Sequence, residues 1–324
     1  MIKSNSFTLS FFLIFLSGMF MCLCSNNWIF IWCGLELSLI SILPLMVNDS
    51  VLSSESSVSY FLVQSMGSSL LVLGLVNMMM MNWGYDLFIS ISLMIKMGVA
   101  PFHLWLLSII DGLTFMPLII IFSFAKLPSL MILTFNSSSL VLFIVVSLFL
   151  GSVSGLNQSS ILKILSYSSI FNMGMMLILI NNNSMLLLYL FVYSMLILIF
   201  ILFSFKMNIF YLSQMVMSDE LLMNKITLWM TLLSMSGVPP LIGFSIKIMV
   251  IEYLILNNLI FILVIISLTS ILITFFYLRM SYSSMMIFSF GVKWLLIEWN
   301  NYSMLFLIFN LIVIPVYFTL KFSG

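Results

Sequence analysis

From residue 7 to residue 321 this sequence is a succession of apolar runs, each about as long as a bilayer is thick, joined by short polar segments. A helix needs roughly 20 apolar residues to cross the hydrocarbon core, where every backbone N–H and C=O must find its partner inside the protein. The runs fall at about 7–24, 28–47, 58–81, 87–106, 115–135, 139–155, 160–181, 184–205, 225–256, 258–279 and 302–321. Only 6% of the residues are charged, against about 25% in soluble domains, so there is too little polar side chain to cover a water-facing surface. The expected fold is an all-α polytopic membrane protein with about eleven transmembrane helices, a single domain over residues 1–324. The first run stands where a signal peptide would, but no small-residue cleavage site follows it, and it reads as an uncleaved helix.

That arrangement puts Lys3, Lys163, Lys206, Lys225, Arg279 and Lys293 on one side of the membrane and Lys321 on the other. The positive-inside rule then places the N-terminus on the matrix or cytoplasmic side and the C-terminus opposite. Asp49, Glu55, Asp111, Asp219, Glu220 and Glu298 read as solvated loop or headgroup charges. A net charge of +1 leaves no basic footprint for nucleic acid. The three cysteines, Cys22, Cys24 and Cys33, lack zinc or C-x-x-C spacing and read as buried small hydrophobes. With no Walker A or dinucleotide fingerprint, and too few Cys and His for iron–sulfur or haem ligation, the chain itself is expected to bind no cofactor. Alanine occurs only at Ala100 and Ala125 and arginine only at Arg279, while there are 31 Phe and 29 Met. That bias is expected of an AT-rich genome such as those of many animal mitochondria.

Four charges fall inside the runs: Glu36, Lys96, Lys126 and Lys247. A charge at a helix centre costs about 2.5–3.5 kcal/mol on insertion scales, so such residues are either snorkelling to an interface, paired, or functional. Four together in a chain with so few others argue for a polar pathway through the bundle.

Two of the runs also carry matching interruptions. "MGVAPFHLW" and "SGVPPLIGFSIK" both read Gly-Val-x-Pro, beginning at Gly98 and Gly237, 139 residues apart. Proline removes a backbone donor and clashes with the preceding turn. Helix breaks are therefore expected at Gly98–Pro101 and at Gly237, Pro239 and Pro240. An odd number of spans separates them, so the two segments cross in opposite directions. That predicts two inverted five-helix repeats, about 7–135 and 139–280, each with a discontinuous helix, and one further C-terminal helix at 302–321. Paired discontinuous helices mark the substrate site of many transporters.

The segments "GLELS", "IKMGVAPFHLW", "AKLP", "GLNQSSILKILSYSSI" and "SGVPPLIGFSIK" occur in this order. Over roughly residues 25–280 the chain resembles the subunit-2 family of animal mitochondrial NADH dehydrogenase, respiratory complex I, which is similar to cation/proton antiporter subunits. The resemblance implies proton translocation across the mitochondrial inner membrane, driven by redox chemistry elsewhere. NADH, FMN, iron–sulfur clusters and ubiquinone would be used by the whole complex. The partners it implies are the other membrane-arm subunits, including neighbouring antiporter-like ones, and the inner-membrane lipids. The N-terminus would lie in the matrix and the C-terminus in the intermembrane space.

Residue by residue, the resemblance makes Glu36 the family's glutamate, Lys96 its partner lysine, Lys126 the central lysine and Lys247 the lysine beyond the second break. His103 matches the histidine of the "PFH" motif; it is a candidate relay or, equally, a hydrogen-bonded structural residue. Lys163 either caps the seventh span or takes up protons. The chain departs from the family at Phe124 and Ala125, where tryptophan and glutamine are common, and at Leu162, where arginine is. Two other readings stay open from sequence: a scaffold of the membrane arm that conducts no protons, and a stand-alone cation/proton antiporter.

Overall fold

The structure, a computed structural model, describes residues 6–80, 84–136, 140–217, 222–290, 303–308 and 310. Expectations that rest on Lys3, Asp219, Glu220, Lys293, Glu298 and Lys321, and on most of the run 302–321, lie outside these residues.

Helices account for the architecture. In chain order they are α1 (Ser6–Cys24), α2 (Trp28–Met46), α3 (Val51–Met79), α4 (Tyr85–Met97), α5 (Leu104–Ile110), α6 (Phe115–Ile119) and, after a π-helical turn at Ile120–Phe124, α7 (Lys126–Leu133). There follow α8 (Val141–Ser154), α9 (Ile161–Ile178), α10 (Asn183–Lys206), α11 (Leu212–Met217), α12 (Leu222–Ser236), α13 (Ile242–Leu256) and α14 (Ile260–Phe290). Among the described residues, seven helices are long and apolar enough to cross a membrane. Large apolar side chains such as Phe20, Leu268 and Phe275 point outward, as a lipid-facing surface requires.

Two helices outrun their apolar stretches. α3 starts at Val51, seven residues before the predicted run, through "VLSSESS". Ser53, Ser54, Ser56 and Ser57 each donate to the carbonyl three residues back, so the hydroxyls are satisfied on the helix itself. Ser50 caps it by accepting from the Ser53 N–H. α14 continues past 279 in the same way, with Ser281, Ser283 and Ser284 bonded to carbonyls of their own helix. Serine lowers hydropathy without ending a helix, which is why the polar stretches misplace both boundaries.

Contacts gather the chain into two compact units, residues 1–147 with 180–183, and 148–179 with 184–324. In the first, α1 and α2 meet at Gly18 and Gly34, where a Cβ on Gly18 would stand 2.9 Å from the Gly34 carbonyl oxygen. α3 packs on α4 and α5, and α4 and α1 both pack on α7. Asn136 donates to the Asp86 carbonyl at 3.1 Å, tying the end of α7 to the start of α4. In the second unit α12 packs on α13 and α14, and α11 on α14. Tyr189 of α10 donates to Asn172 of α9 at 2.6 Å. A single antiparallel bridge, Ser160 to Tyr211, fastens the start of α9 to the segment after α10.

Three placements differ from expectation. Cys24 is exposed at the end of α1 and Cys33 is half-buried, while Cys22 is buried. Lys225, expected at the membrane surface, is only 7% exposed. α12 begins at Leu222, which makes Lys225 its fourth residue and encloses the lysine stem beside the buried Asn224.

Candidate functional site

α4 stops at Met97 because Gly98 takes φ 70°, ψ 36°. A side chain disfavours that left-handed conformation by roughly 1–2 kcal/mol, so glycine ends the helix there at least cost. The Gly98 N–H donates to Ile95 O (3.2 Å), that of Val99 to Met94 O (3.1 Å) and that of Phe102 to Val99 O (2.8 Å), and the chain re-enters a helix at Leu104. Two side chains reinforce the break: Trp105 Nε1 gives Ile95 O a second donor at 3.1 Å, and Gln64 Nε2 of α3 donates to Lys96 O at 3.2 Å.

The second break repeats the pattern. Gly237 has φ 81°. Its N–H donates to Ser234 O (3.0 Å), that of Val238 to Leu233 O (3.3 Å) and that of Leu241 to Val238 O (3.0 Å). In a continuous helix the Ser236 carbonyl would accept from residue 240, but that residue is Pro240 and has no N–H. Lys247 of α13 takes its place, its Nζ donating to Ser236 O. The lysine folds back so closely that a Cβ on Gly237 would stand 2.8 Å from its Cδ.

Of the intramembrane charges, Glu36 and Lys96 are brought together. The Lys96 stem crosses α3 at Gly67, where a Cβ would be 3.2 Å from Lys96 Cγ. Lys96 Nζ lies 4.0 Å from Glu36 Oε1, with side chains 6% and 25% exposed respectively. Direct charge-assisted hydrogen bonds are shorter, about 2.7–2.9 Å, so the spacing suits a bridging water as well as the ion pair itself. Trp32 stands one turn earlier on the same face of α2. Its Nε1 and Glu36 Oε1 are a buried donor and acceptor with no hydrogen-bond partner among the described residues.

Lys126 opens α7 and is buried, its Nζ 5.6 Å from the centroid of the Phe122 ring. α7 packs on α4, so the helices carrying Lys96 and Lys126 are neighbours. The sequence predicts one unbroken helix over 115–135; the structure inserts the π turn Ile120–Phe124, closed by the Ala125 N–H on Ile120 O at 2.9 Å. Pro128 explains the difference. It cannot donate to the Phe124 carbonyl, and its ring is tolerated only in a first helical turn. The π turn resets the register so that Pro128 is the third residue of a new helix. Such turns are frequent at functional sites.

His103 precedes α5 and is buried, its Nδ1 3.2 Å from the Pro101 carbonyl, an acceptor that puts the ring proton on Nδ1. Lys163 is the third residue of α9, half-buried, and belongs with Lys247 to the second unit. Sequence reasoning missed Trp32, Gln64, Trp105 and the burial of Asn224 and Lys225. Gln64 had a signal, as the one glutamine of α3, midway along its apolar run. Asn224 and Lys225 had none, lying at the edge of an apolar run.

The arrangement holds groups able to exchange protons, carboxylate and amine, inside a low-dielectric bundle beside breaks in two helices. Among the described residues no cluster of three His, Cys, Asp or Glu side chains could hold a metal ion.

Comparison with known proteins bears on the same residues. The family described as "NADH:quinone oxidoreductase/Mrp antiporter, TM" matches residues 25–85 and 77–274. The chain is 35% identical to the NADH-ubiquinone oxidoreductase chain 2 of Anopheles gambiae, over 94% of each chain. It is 35% identical to that of Aedes aegypti, over 90% of this chain and 89% of the other. In fold it is similar to a chain of respiratory complex I from Thermus thermophilus, with a TM-score of 0.78 at 19% identity, covering 88% of this chain and 72% of that one. A chain of the Mrp complex from a Dietzia species gives a TM-score of 0.71 at 15% identity, covering 83% and 59%.

Proposed function

The chain belongs to the NADH:quinone oxidoreductase/Mrp antiporter transmembrane family, and from that premise we propose that Glu36, Lys96, Lys126 and Lys247 are its proton-carrying groups. It is a proton-translocating membrane-arm subunit of respiratory complex I, a multi-pass protein of the mitochondrial inner membrane. Its partners are other membrane-arm subunits. NADH oxidation and ubiquinone reduction take place on other subunits, and this chain supplies the membrane path whose motion those reactions drive.

The observation that carries the reading is the Glu36–Lys96 ion pair, 4.0 Å long, beside a broken helix. At an effective dielectric of about 20, unit charges 4 Å apart attract by about 4 kcal/mol, and doubling the separation halves that. Moving the carboxylate away by about 4 Å would therefore remove about 2 kcal/mol, enough to shift a two-state equilibrium about thirtyfold. With Glu36 near, Lys96 holds its proton; with Glu36 withdrawn, it passes the proton on. Lys126, on the neighbouring helix α7, is the next carrier in the first unit. Lys247 serves the second, and Lys163 is a candidate uptake point. His103, tied to Pro101, orders the break and is a candidate relay.

The shared hydrogen-bond pattern at Gly98–Phe102 and Gly237–Leu241 supports reading the breaks as corresponding positions of two half-repeats. The basic residues support a matrix-side N-terminus. The decisive experiment is Lys126→Met in the assembled complex, with protons moved measured per NADH oxidised. A conducting subunit loses protons per NADH or loses coupled turnover. An unchanged ratio at unchanged turnover would leave a scaffold.

A further inference from the structure

The one arginine of the chain takes no part in the proton path. Arg279, exposed on α14, lines a cleft of about 620 Å³ with Leu156, Asn157, Gln158, Ser159, Leu212 and Ser283. All seven belong to the second unit, and none is acidic. The cleft's level in the membrane follows from two independent lines. Residues 155–160 lead into α9, which is long and apolar enough to cross a membrane, and so lie at its membrane-surface end. Arg279 comes nineteen residues after Ile260, the start of α14; at 1.5 Å per residue that is about 28 Å, close to the roughly 30 Å of the hydrocarbon core. The guanidinium stands at headgroup depth.

Its chemistry there is half used. One Nη donates to the Leu156 carbonyl at 3.0 Å. A guanidinium has five N–H donors in a planar fork, and a carbonyl does not neutralise its charge. Asn157, Gln158, Ser159 and Ser283 add polar groups around it. From Arg279 toward the membrane centre, Phe275, Ile271, Leu268 and Val264 follow at helical spacing on one stripe of α14, between 49 and 63% exposed. A cation in a polar cleft at the interface, above an outward apolar stripe, has the outline of one phospholipid.

We propose that this cleft binds the phosphodiester headgroup of a glycerophospholipid, its phosphate on Arg279 and its acyl chains along the Phe275–Val264 stripe. Bound there, the lipid links α14 to the α8–α9 junction through a phosphate that both sides of the cleft contact. A free phosphate ion would satisfy the cleft but make no use of the stripe. A protein partner docked on the stripe would have to bring its own carboxylate to the arginine.

The test uses intact complex containing this subunit, reconstituted with a phosphatidylglycerol that carries a photoactivatable diazirine on one acyl chain. The labelled peptide is expected to span residues 264–283. Arg279→Gln should cut labelling there by about tenfold, Arg279→Lys should keep most of it, and millimolar inorganic phosphate should not compete. Should Arg279→Gln prevent assembly, Ser283→Phe fills the cleft from an exposed position with the arginine intact, and the same loss is expected. Unchanged labelling in the variants overturns the proposal. Competition by phosphate would reveal a soluble-anion site instead, and a cross-link to another subunit at these residues would reveal a protein contact.

Discussion

At the scale of single residues, the Glu36–Lys96 pair concentrates the energetic risk. Removing one partner of a buried ion pair typically costs about 3–5 kcal/mol, because the other charge is left without compensation, whereas removing both is often far cheaper. Glu36→Gln and Lys96→Met alone should therefore each lower the heat stability of the complex more than the double variant does. The coupling between them should be about 0.5–3 kcal/mol. Additive effects in thermal denaturation would mean that the two groups do not sense each other across their 4.0 Å. All three variants should slow NADH-driven proton movement, since the double variant restores packing without restoring the carriers. The pair was legible in sequence as two charges in apolar runs, but its geometry was not. Nothing in "GLELS" or "LMIKM" says that α3 offers Gly67 as the gap through which the Lys96 stem reaches α2.

At the scale of elements, the Gly-Val-x-Pro segments were readable because both of their signals are local. Glycine permits positive φ, and proline removes a donor. The interruption before Lys126 was not readable, although "AKLP" holds its cause. A proline in the middle of a run is compatible with a continuous helix, a kink or a fresh start, and the choice rests on how α6 and α7 pack. The same locality gives a test of what the second break does. Gly84 and Gly237 both have positive φ, at 95° and 81°. A Cβ on Gly84 meets nothing within 4 Å, whereas one on Gly237 meets the Lys247 side chain. Gly84→Ala and Gly237→Ala should each cost about 1–2 kcal/mol of backbone strain. Only Gly237→Ala should also depress proton movement per NADH, by dislodging the Lys247 amine from Ser236. Equal transport in the two variants would show that this lysine is not needed where it sits.

At the scale of the whole molecule, the sequence read correctly as an all-helical membrane protein, because a bilayer forces each crossing to be a run of apolar residues. Orientation is a separate matter, and Cys24 is a native reporter for it. It is exposed at the end of α1, so a matrix-side N-terminus puts its thiol at the intermembrane-space face. A membrane-impermeant maleimide should label Cys24 in mitoplasts, and a cysteine placed at the exposed Lys206 only in inverted inner-membrane particles. The reverse result would invert the topology. A membrane that stores a gradient must also be an insulator, and the amine of Lys247 bears on this. While it sits on the Ser236 carbonyl, the gap left by Pro240 is plugged by the group proposed to carry the proton. When the amine departs, that oxygen has no donor in hydrocarbon, and a water molecule must arrive as the charge goes. On the proposed role of Lys247, the subunit would be either dry and closed or wet and passing a proton, and an idle wet state, through which the gradient would leak, would be short-lived.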